Sequence, residues 1–179
     1  MAKIICISGK SGAGKDAVAE MLKTELNNKG QRVLITSFAA PLKQLCKDWF
    51  GWDGKHDFAG CALQQCVDNT VRAEAPDFWM NHTLGLISMM RDEWDYVIIP
   101  DCQFQSELNM ERFGLEPIHI RIEGQEAQPY CMLETDLDDA HANYIIDSSA
   151  AIAKLLQSVC EVAESLQQPN KNTHYIVAA

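Results

Sequence analysis

Short apolar runs alternate along this chain with longer segments in which apolar residues recur every three or four positions. Apolar runs of four to eight residues, bounded by polar residues or glycine, predict strands that are buried on both faces, as in a parallel sheet. Pro100 lacks a backbone N–H, so the third strand should end by residue 99. The five predicted strands are Ile4–Ile7, Arg32–Ser37, Trp94–Asp101, Pro117–Ile122 and Tyr144–Ile146.

The segments with helical spacing predict six helices, several of which carry recognisable end signals. Gly30 follows the first helix, and Pro41 lies in the first turn of the second. The predicted helices are Asp16–Asn28, Pro41–Phe50, Cys61–Val71, Phe78–Asp92, Ser106–Gly114 and Ser149–Leu166. Strands that alternate with helices indicate an α/β protein with a parallel β-sheet flanked by helices.

Length, charge and cysteine usage narrow the class of protein. The 179 residues favour a single domain, 1–179, and the net charge of −10 argues against a nucleic-acid partner. The seven scattered cysteines contain no C-x-x-C pair, so we expect free thiols in a reducing cytoplasm. No segment approaches the roughly 18 apolar residues of a membrane span, and the first apolar run is too short for a signal peptide. We therefore expect a cytoplasmic protein without a membrane partner.

A glycine-rich segment follows the first predicted strand and opens the first predicted helix. It reads GKSGAGKD, which matches the phosphate-binding pattern G-x-x-x-x-G-K-[ST] except at the last position. In such a loop, backbone N–H groups and the positive end of the helix dipole bind the phosphates of a nucleotide, and the lysine reaches the β- and γ-phosphates. The predicted nucleotide-binding residues are Gly9, Lys10, Ser11, Gly12, Ala13, Gly14, Lys15 and Asp16.

Two carboxylates are candidates for a metal ion beside this loop. Asp16 stands where a Mg²⁺-binding hydroxyl is usual, and its oxygens can bind the metal directly, through water, or instead cap the helix. Asp101 ends the third apolar run, where a carboxylate beside a phosphate-binding loop is expected to serve Mg²⁺, with a strand-end cap as the alternative. The sequence therefore predicts ATP and Mg²⁺ as cofactors.

The GKD ending of the loop resembles the phage-type deoxynucleoside monophosphate kinases, a branch of the P-loop nucleoside-monophosphate kinase group. Four further segments are similar to that group and occur in the same order, although single segments are weak signals. SFAAPLKQLCKDWFGW is similar to its F-A-D-P-L-K segment, and LQQCVDNTVRAEAPDFW to its L-Q-x-x-G-T-x-x-R segment. The other two are VIIPDCQFQSEL and LETDLDDAHANYIID.

This resemblance implies a P-loop kinase fold and ATP-dependent phosphoryl transfer to a (deoxy)nucleoside monophosphate, giving the diphosphate. A helical insertion at about 38–92 would bind the monophosphate, and about 123–139 would form a lid. The chain departs from the pattern at three positions that bear on activity or substrate choice. These are Ala17, Ala40 and Gln103, which replace the usual Thr, Asp and Arg.

The resemblance also implies roles for individual side chains. Lys15, Asp101 and Arg72 would be catalytic, with Arg72 on the acceptor phosphate, which a guanidinium binds through two hydrogen bonds. Lys43 would contact the substrate, and Phe38 and Trp79 are candidates to stack on its base. Arg112 is the candidate lid arginine. Arg91 and Arg121 are interpreted as surface residues, and no histidine is assigned chemistry.

Other functions stay open at this stage. Residues 123–139 contain no Lys or Arg, which is unusual for a lid that closes over phosphates. A P-loop kinase of another small metabolite, similar to phosphomevalonate or dephospho-coenzyme-A kinases, is one alternative, and a nucleotide-binding module without turnover is another. The helix Ser149–Leu166 is either a core helix or the face of a homodimer.

Overall fold

The computed structural model describes residues 2–55, 57–90, 92–124 and 137–168 of the chain. Five strands in this part pair in the order β2-β3-β1-β4-β5, and all four pairings are parallel. The strands are β1 (Lys3–Gly9), β2 (Val33–Ile35), β3 (Tyr96–Ile99), β4 (Ile118–Glu123) and β5 (Tyr144–Asp147). The predicted parallel α/β sheet is confirmed.

The described residues also form six α-helices and one short 3₁₀ helix (Glu111–Phe113), of which the last α-helix follows the final strand. Three of them lie in the chain between β2 and β3, within the region 38–92, and monophosphate binding by this region stays a prediction. The α-helices are α1 (Lys15–Asn28), α2 (Ala40–Phe50), α3 (Phe58–Glu74), α4 (Phe78–Met89), α5 (Gln105–Leu108) and α6 (Ile152–Gln167).

The two faces of β1 bury alternate residues in different apolar clusters. Ile5 and Ile7 pack with residues of α1 and α6 on one face, whereas Ile4 and Cys6 pack with residues of α4 on the other. Side chains alternate between the two faces of a strand, so a central strand covered on both faces must be apolar throughout. This explains why the strand reads as a continuous apolar run.

Four predicted helices differ from the structure by three residues or more. Two differ only at one end, since α4 ends at Met89 rather than Asp92 and α6 begins at Ile152 rather than Ser149. The other two differ more. Helix α3 begins at Phe58 rather than Cys61, because the Asp57 side chain accepts a hydrogen bond from the Gly60 N–H at 2.9 Å and caps the helix. The predicted helix Ser106–Gly114 is two pieces, since α5 ends at Leu108 and the 3₁₀ helix begins three residues later. The error at α3 is a missed N-cap signal.

Helix α6 packs one side against the sheet through its buried residues Leu155, Val159 and Val162. Ile152 and Leu156 on the same helix are exposed. Its role as a core helix is therefore confirmed, and a homodimer stays a prediction. Within the described ranges, no helix is both long enough and apolar enough to cross a membrane.

Candidate active site

The phosphate-binding loop joins β1 to α1 at the carboxyl edge of the sheet. It begins at Gly9, whose φ of 148° disfavours any residue with a side chain, and a Cβ there would lie 2.4 Å from the Ile122 carbonyl oxygen. The loop ends at Gly14, which is the N-cap of α1 with a φ of 86°. These two glycines allow the backbone to turn sharply beside β4 and enter the helix.

A residue that the sequence analysis missed holds this loop in place. The Ser148 hydroxyl contacts the carbonyl oxygens of Ala13 at 2.6 Å and Glu123 at 3.1 Å. Ser148 directly follows β5, so it lies at the same edge of the sheet as the loop. The carboxyl-edge position is the signal that could have identified it.

The Lys15 ammonium group lies over the loop. It donates to the carbonyl oxygens of Gly9 at 2.5 Å and Lys10 at 3.0 Å. Asp16 follows in the first turn of α1 and is exposed, and its carboxylate makes no hydrogen bond to another described residue. The N-cap is Gly14, so Asp16 does not cap the helix, and its carboxylate remains available at the loop.

A cavity of about 660 Å³ separates this loop from helices α2 and α3. It brings together most of the predicted site residues, although their roles stay predictions. Gly9 and Lys10 line a different cavity, and Ala13 is buried. The predicted residues that line the large cavity are Ser11, Gly12, Gly14, Lys15, Asp16, Phe38, Lys43, Arg72, Trp79 and Asp101.

The Asp101 carboxylate organises the turn between β2 and α2. It accepts hydrogen bonds from the Ser37 hydroxyl at 2.5 Å and from the backbone N–H groups of Phe38 at 3.0 Å and Ala39 at 2.9 Å. A carboxylate has about four lone-pair sites, so these three donors leave little capacity for a direct metal bond. The geometry favours the capping alternative for Asp101, or a metal contact through water.

Arg72 is held in the wall of the large cavity by several side-chain contacts. Its Nε donates to Asp68 at 2.8 Å, one terminal nitrogen donates to Glu107 at 3.1 Å, and its guanidinium carbon lies 4.2 Å from the centre of the Phe104 ring. Asp68 also accepts from the Trp79 indole N–H at 2.7 Å. Fixing a long side chain before the ligand binds lowers the entropy that is lost on binding.

Glu107 connects Arg72 to the segment after β3. Its second carboxylate oxygen accepts from the backbone N–H groups of Gln103 at 2.8 Å and Phe104 at 3.2 Å. Burial raises the pKa of Glu107, while these hydrogen bonds and Arg72 act in the opposite direction. Asp68 was missed although its i, i+4 spacing to Arg72 on α3 was a usable signal. Glu107 was weighed from the sequence only as a residue that orients its neighbours, and its contact with Arg72 arises from packing between α3 and the segment after β3.

The two aromatic residues proposed for base stacking are mainly core residues. Phe38 is 1% exposed and Trp79 is 2% exposed, although both contribute to the wall of the large cavity. A base could therefore contact only the small part of each ring that reaches the cavity. Trp49, also aromatic and in the same insertion, is 81% exposed and does not line it.

A second cavity, of about 380 Å³, lies between the ends of β1 and β4. Gly9, Lys10 and Gln103 line it together with Arg121, whose guanidinium donates to the carbonyl oxygens of Leu137 at 2.6 Å and Ala140 at 2.5 Å. The interpretation of Arg121 as a surface residue is wrong, since it is half-buried. In β4 it alternates with Ile120 and Ile122, which pack on the other face.

The remaining arginine candidates do not reach the large cavity within the described residues. Arg112 pairs with Asp77 at 3.1 Å and donates to Asn81 at 2.6 Å, so it joins the 3₁₀ helix to α4 on the surface. Arg91 and residues 125–136 of the candidate lid lie outside the described residues. The lid prediction stays a prediction.

His119 and Ser8 form a buried polar pair between β4 and β1. His119 Nε2 lies 2.7 Å from the Ser8 hydroxyl, and Nδ1 lies 2.8 Å from the carbonyl oxygen of His141. A carbonyl oxygen can only accept, so Nδ1 carries the proton and Nε2 accepts from Ser8. Burial is the main cause that lowers the pKa of His119 below its usual 6.5, so the ring is neutral in the folded protein.

This lowered pKa predicts an acid sensitivity. Below pH 6.5, His119 is protonated in the unfolded chain but stays neutral in the folded chain. The free energy of unfolding therefore falls as the pH drops from 6.5 towards the lowered pKa of His119 in the folded protein. Urea unfolding between pH 5 and pH 8 measures this effect. As the pH is lowered, the free energy of unfolding should fall more steeply for the wild type than for His119→Gln, which has no titratable group at this position. Equal pH slopes for the two proteins would contradict the assignment.

The described residues contain no group of three or more His, Cys, Asp or Glu side chains arranged to hold a metal ion. Mg²⁺ in phosphoryl-transfer sites commonly takes one or two carboxylates and the phosphates of the substrate, so such a group is not needed. The uncommitted carboxylate of Asp16 beside the loop fits this type of binding.

The geometry can be compared with known proteins. No family model and no curated sequence matches the chain, but solved structures do. An APS kinase from Mycobacterium tuberculosis, in complex with AMPPNP and APS, is similar over 93% of this chain and 98% of its own, with a TM-score of 0.54 and 11% identity. A sugar kinase from a Janibacter species is similar over 92% and 94%, with a TM-score of 0.52 and 12% identity.

The chain has the P-loop kinase fold. At these identities the likeness establishes the fold alone, and the resemblance to phage-type deoxynucleoside monophosphate kinases stays a prediction. The P-loop kinase fold accounts for the strand order, the position of the glycine-rich loop and the helical insertion that faces it.

Proposed function

We propose that this P-loop protein transfers the γ-phosphoryl group of ATP to a (deoxy)nucleoside monophosphate. One observation carries the proposal: a preorganised guanidinium, Arg72 on α3, lines the same cavity as Lys15 and the phosphate-binding loop. A donor phosphate on the loop and an acceptor phosphate at Arg72 would meet across this cavity.

The chain's own residues supply positioning and charge for this reaction. The acceptor phosphate is an anionic nucleophile, so catalysis depends mainly on alignment and on neutralising the charge of the transferred group. The Lys15 ammonium donates to the carbonyl oxygens of Gly9 and Lys10 at the loop, and phosphate oxygens of ATP would replace these acceptors. Lys43 lines the same cavity, and its ammonium group has no hydrogen-bond or ion-pair partner among the described residues.

Asp16 would hold Mg²⁺ beside the loop, and Asp101 would fix the turn that carries Phe38 and Ala39. The metal, when bound with ATP, would neutralise charge on the β- and γ-phosphates. The capping contacts of Asp101 give it a positioning role that does not depend on direct metal binding.

An assay of ADP release with Mg·ATP and a panel of nucleoside and deoxynucleoside monophosphates tests the proposal. Arg72→Ala should lower kcat/KM for the monophosphate by roughly 10- to 100-fold, because a charge-assisted bidentate contact is lost. The KM for ATP should change much less. Arg112→Ala, which removes a surface arginine, is the matched control. Turnover of no monophosphate by the wild type would refute the proposal.

A kinase for a different small metabolite is the second candidate, and one observation favours it. The two carboxylates of Asp68 and Glu107 offset the charge of Arg72, which weakens its attraction for an acceptor phosphate. An acceptor with a neutral hydroxyl group would tolerate this balance. In the same assay, turnover of a hydroxyl-bearing metabolite together with inactivity towards all monophosphates would establish this candidate.

A further inference from the structure

Asp68 has one carboxylate oxygen committed to protein contacts and one that is not. Its Oδ1 accepts from Arg72 Nε at 2.8 Å and from Trp79 Nε1 at 2.7 Å. Its Oδ2 has no hydrogen-bond partner within the described part of the chain. The two donors on Oδ1 fix the orientation of the carboxylate, and therefore the direction of the second oxygen.

The uncommitted oxygen faces the large cavity. Asp68 is only 8% exposed and lines that cavity next to Arg72. Among the described residues, the fully buried side-chain atoms without a partner are Thr83 Oγ1 and Trp94 Nε1, so Oδ2 is not sealed inside the protein. The residue is covered on its other sides by Arg72 and Trp79, and the cavity is the place from which Oδ2 can be reached.

A nearly buried anionic acceptor strongly favours a donor partner. A ligand that offers an O–H or N–H group replaces the water at Oδ2, whereas a ligand without one leaves a desolvated carboxylate oxygen unpaired, which is costly. The neighbouring Arg72 attracts a phosphate, and Asp68 repels one. Adjacent groups of opposite charge thus define where the anionic part and the neutral donor part of an acceptor must lie.

We infer that Asp68 determines acceptor specificity by accepting a hydrogen bond at Oδ2 from a hydroxyl or amino group of the substrate. This inference rests on the proposed function, and it adds a requirement to it. The acceptor must carry a neutral hydrogen-bond donor close to its phosphate-binding end, either on the sugar or on the base. Asp68 belongs to α3 and not to the phosphate-binding loop, so we expect the binding of ATP to be unaffected by this contact.

Asp68→Asn tests the inference with little change in shape. The Arg72 and Trp79 donors select the amide oxygen, so the amide nitrogen takes the place of Oδ2 and offers a donor where the wild type offers an acceptor. The indole N–H resonance of Trp79 and the melting temperature report whether the packing survives. Asp48→Asn on the exposed side of α2, where Asp48 accepts only from Gln44 at 2.8 Å, is the matched control.

The measurement is kcat/KM for the best deoxynucleoside monophosphate and for two analogues, one without the sugar 3′-hydroxyl and one without the exocyclic amine of the base. The wild type should discriminate against one of these analogues by roughly 10- to 100-fold, as expected for a hydrogen bond to a charged group. Asp68→Asn should abolish that preference, while the KM for ATP stays unchanged. The analogue that loses its disadvantage identifies the group that Asp68 contacts.

The outcomes separate the two proposals. If the wild type turns over monophosphates but Asp68→Asn keeps both analogue ratios, the inference about Asp68 is wrong and the proposed function stands. The same holds if Asp68→Asn lowers kcat/KM equally for all three acceptors, because that result indicates a structural role. If the wild type turns over no monophosphate, the proposed function is wrong, and so is the inference that Asp68 determines the specificity for the acceptor.

Discussion

Lys15→Ala should reduce kcat by about 10² to 10³-fold, the usual effect of removing one preorganised donor from a site of developing charge. The ammonium lies over the loop within 3.0 Å of two of its carbonyl oxygens, so it is already placed where the phosphates of ATP would bind. Loss of this cation leaves the charge of the transferred group less neutralised in the transition state. Steady-state assays with Mg·ATP and the best acceptor measure the effect.

The control for this prediction is Lys23→Ala, which removes a lysine from the same helix outside the large cavity. Both variants should melt close to the wild-type temperature, since neither side chain is buried. An active Lys15→Ala enzyme with wild-type kcat would show that phosphoryl transfer does not use this loop, and the proposed function would be wrong.

The second large effect is expected for Gly9→Ala. The methyl group would lie 2.4 Å from the Ile122 carbonyl oxygen, and Gly9 is paired with Ile122 in the ladder between β1 and β4. Strain at a φ of 148° and the clash each cost roughly 1 to 3 kcal/mol, so we expect a loss of about 2 to 6 kcal/mol in the free energy of unfolding. The strands must separate at the start of the loop, so ATP affinity should also fall sharply.

Gly30→Ala separates the two causes. Gly30 also has a positive φ, 79°, but a Cβ there would meet nothing within 4 Å. It should therefore show only the backbone cost of about 1 to 2 kcal/mol and bind ATP normally. Urea unfolding and ATP titration of both variants give the comparison. Equal destabilisation in the two proteins would show that the contact with Ile122 is not important.

The parts of the structure that follow from local physics could be predicted from the sequence. A central strand buried on both faces must be apolar, so β1 could be predicted from its apolar run. A tight loop beside β4 must use glycine at its first position, so the loop could be predicted from its glycines. In β4, Ile118, His119, Ile120, Arg121 and Ile122 alternate in polarity, so Arg121 could be placed on the face opposite Ile120. That this face is covered could not be predicted, because the carbonyl groups of Leu137 and Ala140 that contact Arg121 come from a distant segment.

The remaining features depend on distant segments that meet only after folding. Arg72 and Asp68 are one turn apart on α3, but Glu107 lies 35 positions after Arg72 and reaches it through the packing of the segment that follows β3. The i, i+4 spacing connects Asp68 to Arg72, but no spacing rule connects Glu107 to them. The hydrogen bonds of Asp101 could not be predicted for the same reason. Its place at the end of a strand suggested a metal ligand or a cap, but its three donors come from the distant turn after β2.

The hydroxyl of Ser148 has a consequence for the order of folding. It bonds to Ala13 across 135 residues of chain, and β5 directly precedes it. Contacts between positions so far apart form after local structure, because a long loop must first be closed. During synthesis the glycine-rich segment leaves the ribosome early. The hydrogen bond from Ser148 to this segment can form only after β5 has emerged and paired with β4. Under the proposed function, the loop therefore acquires its ability to bind a nucleotide late, when the sheet is complete.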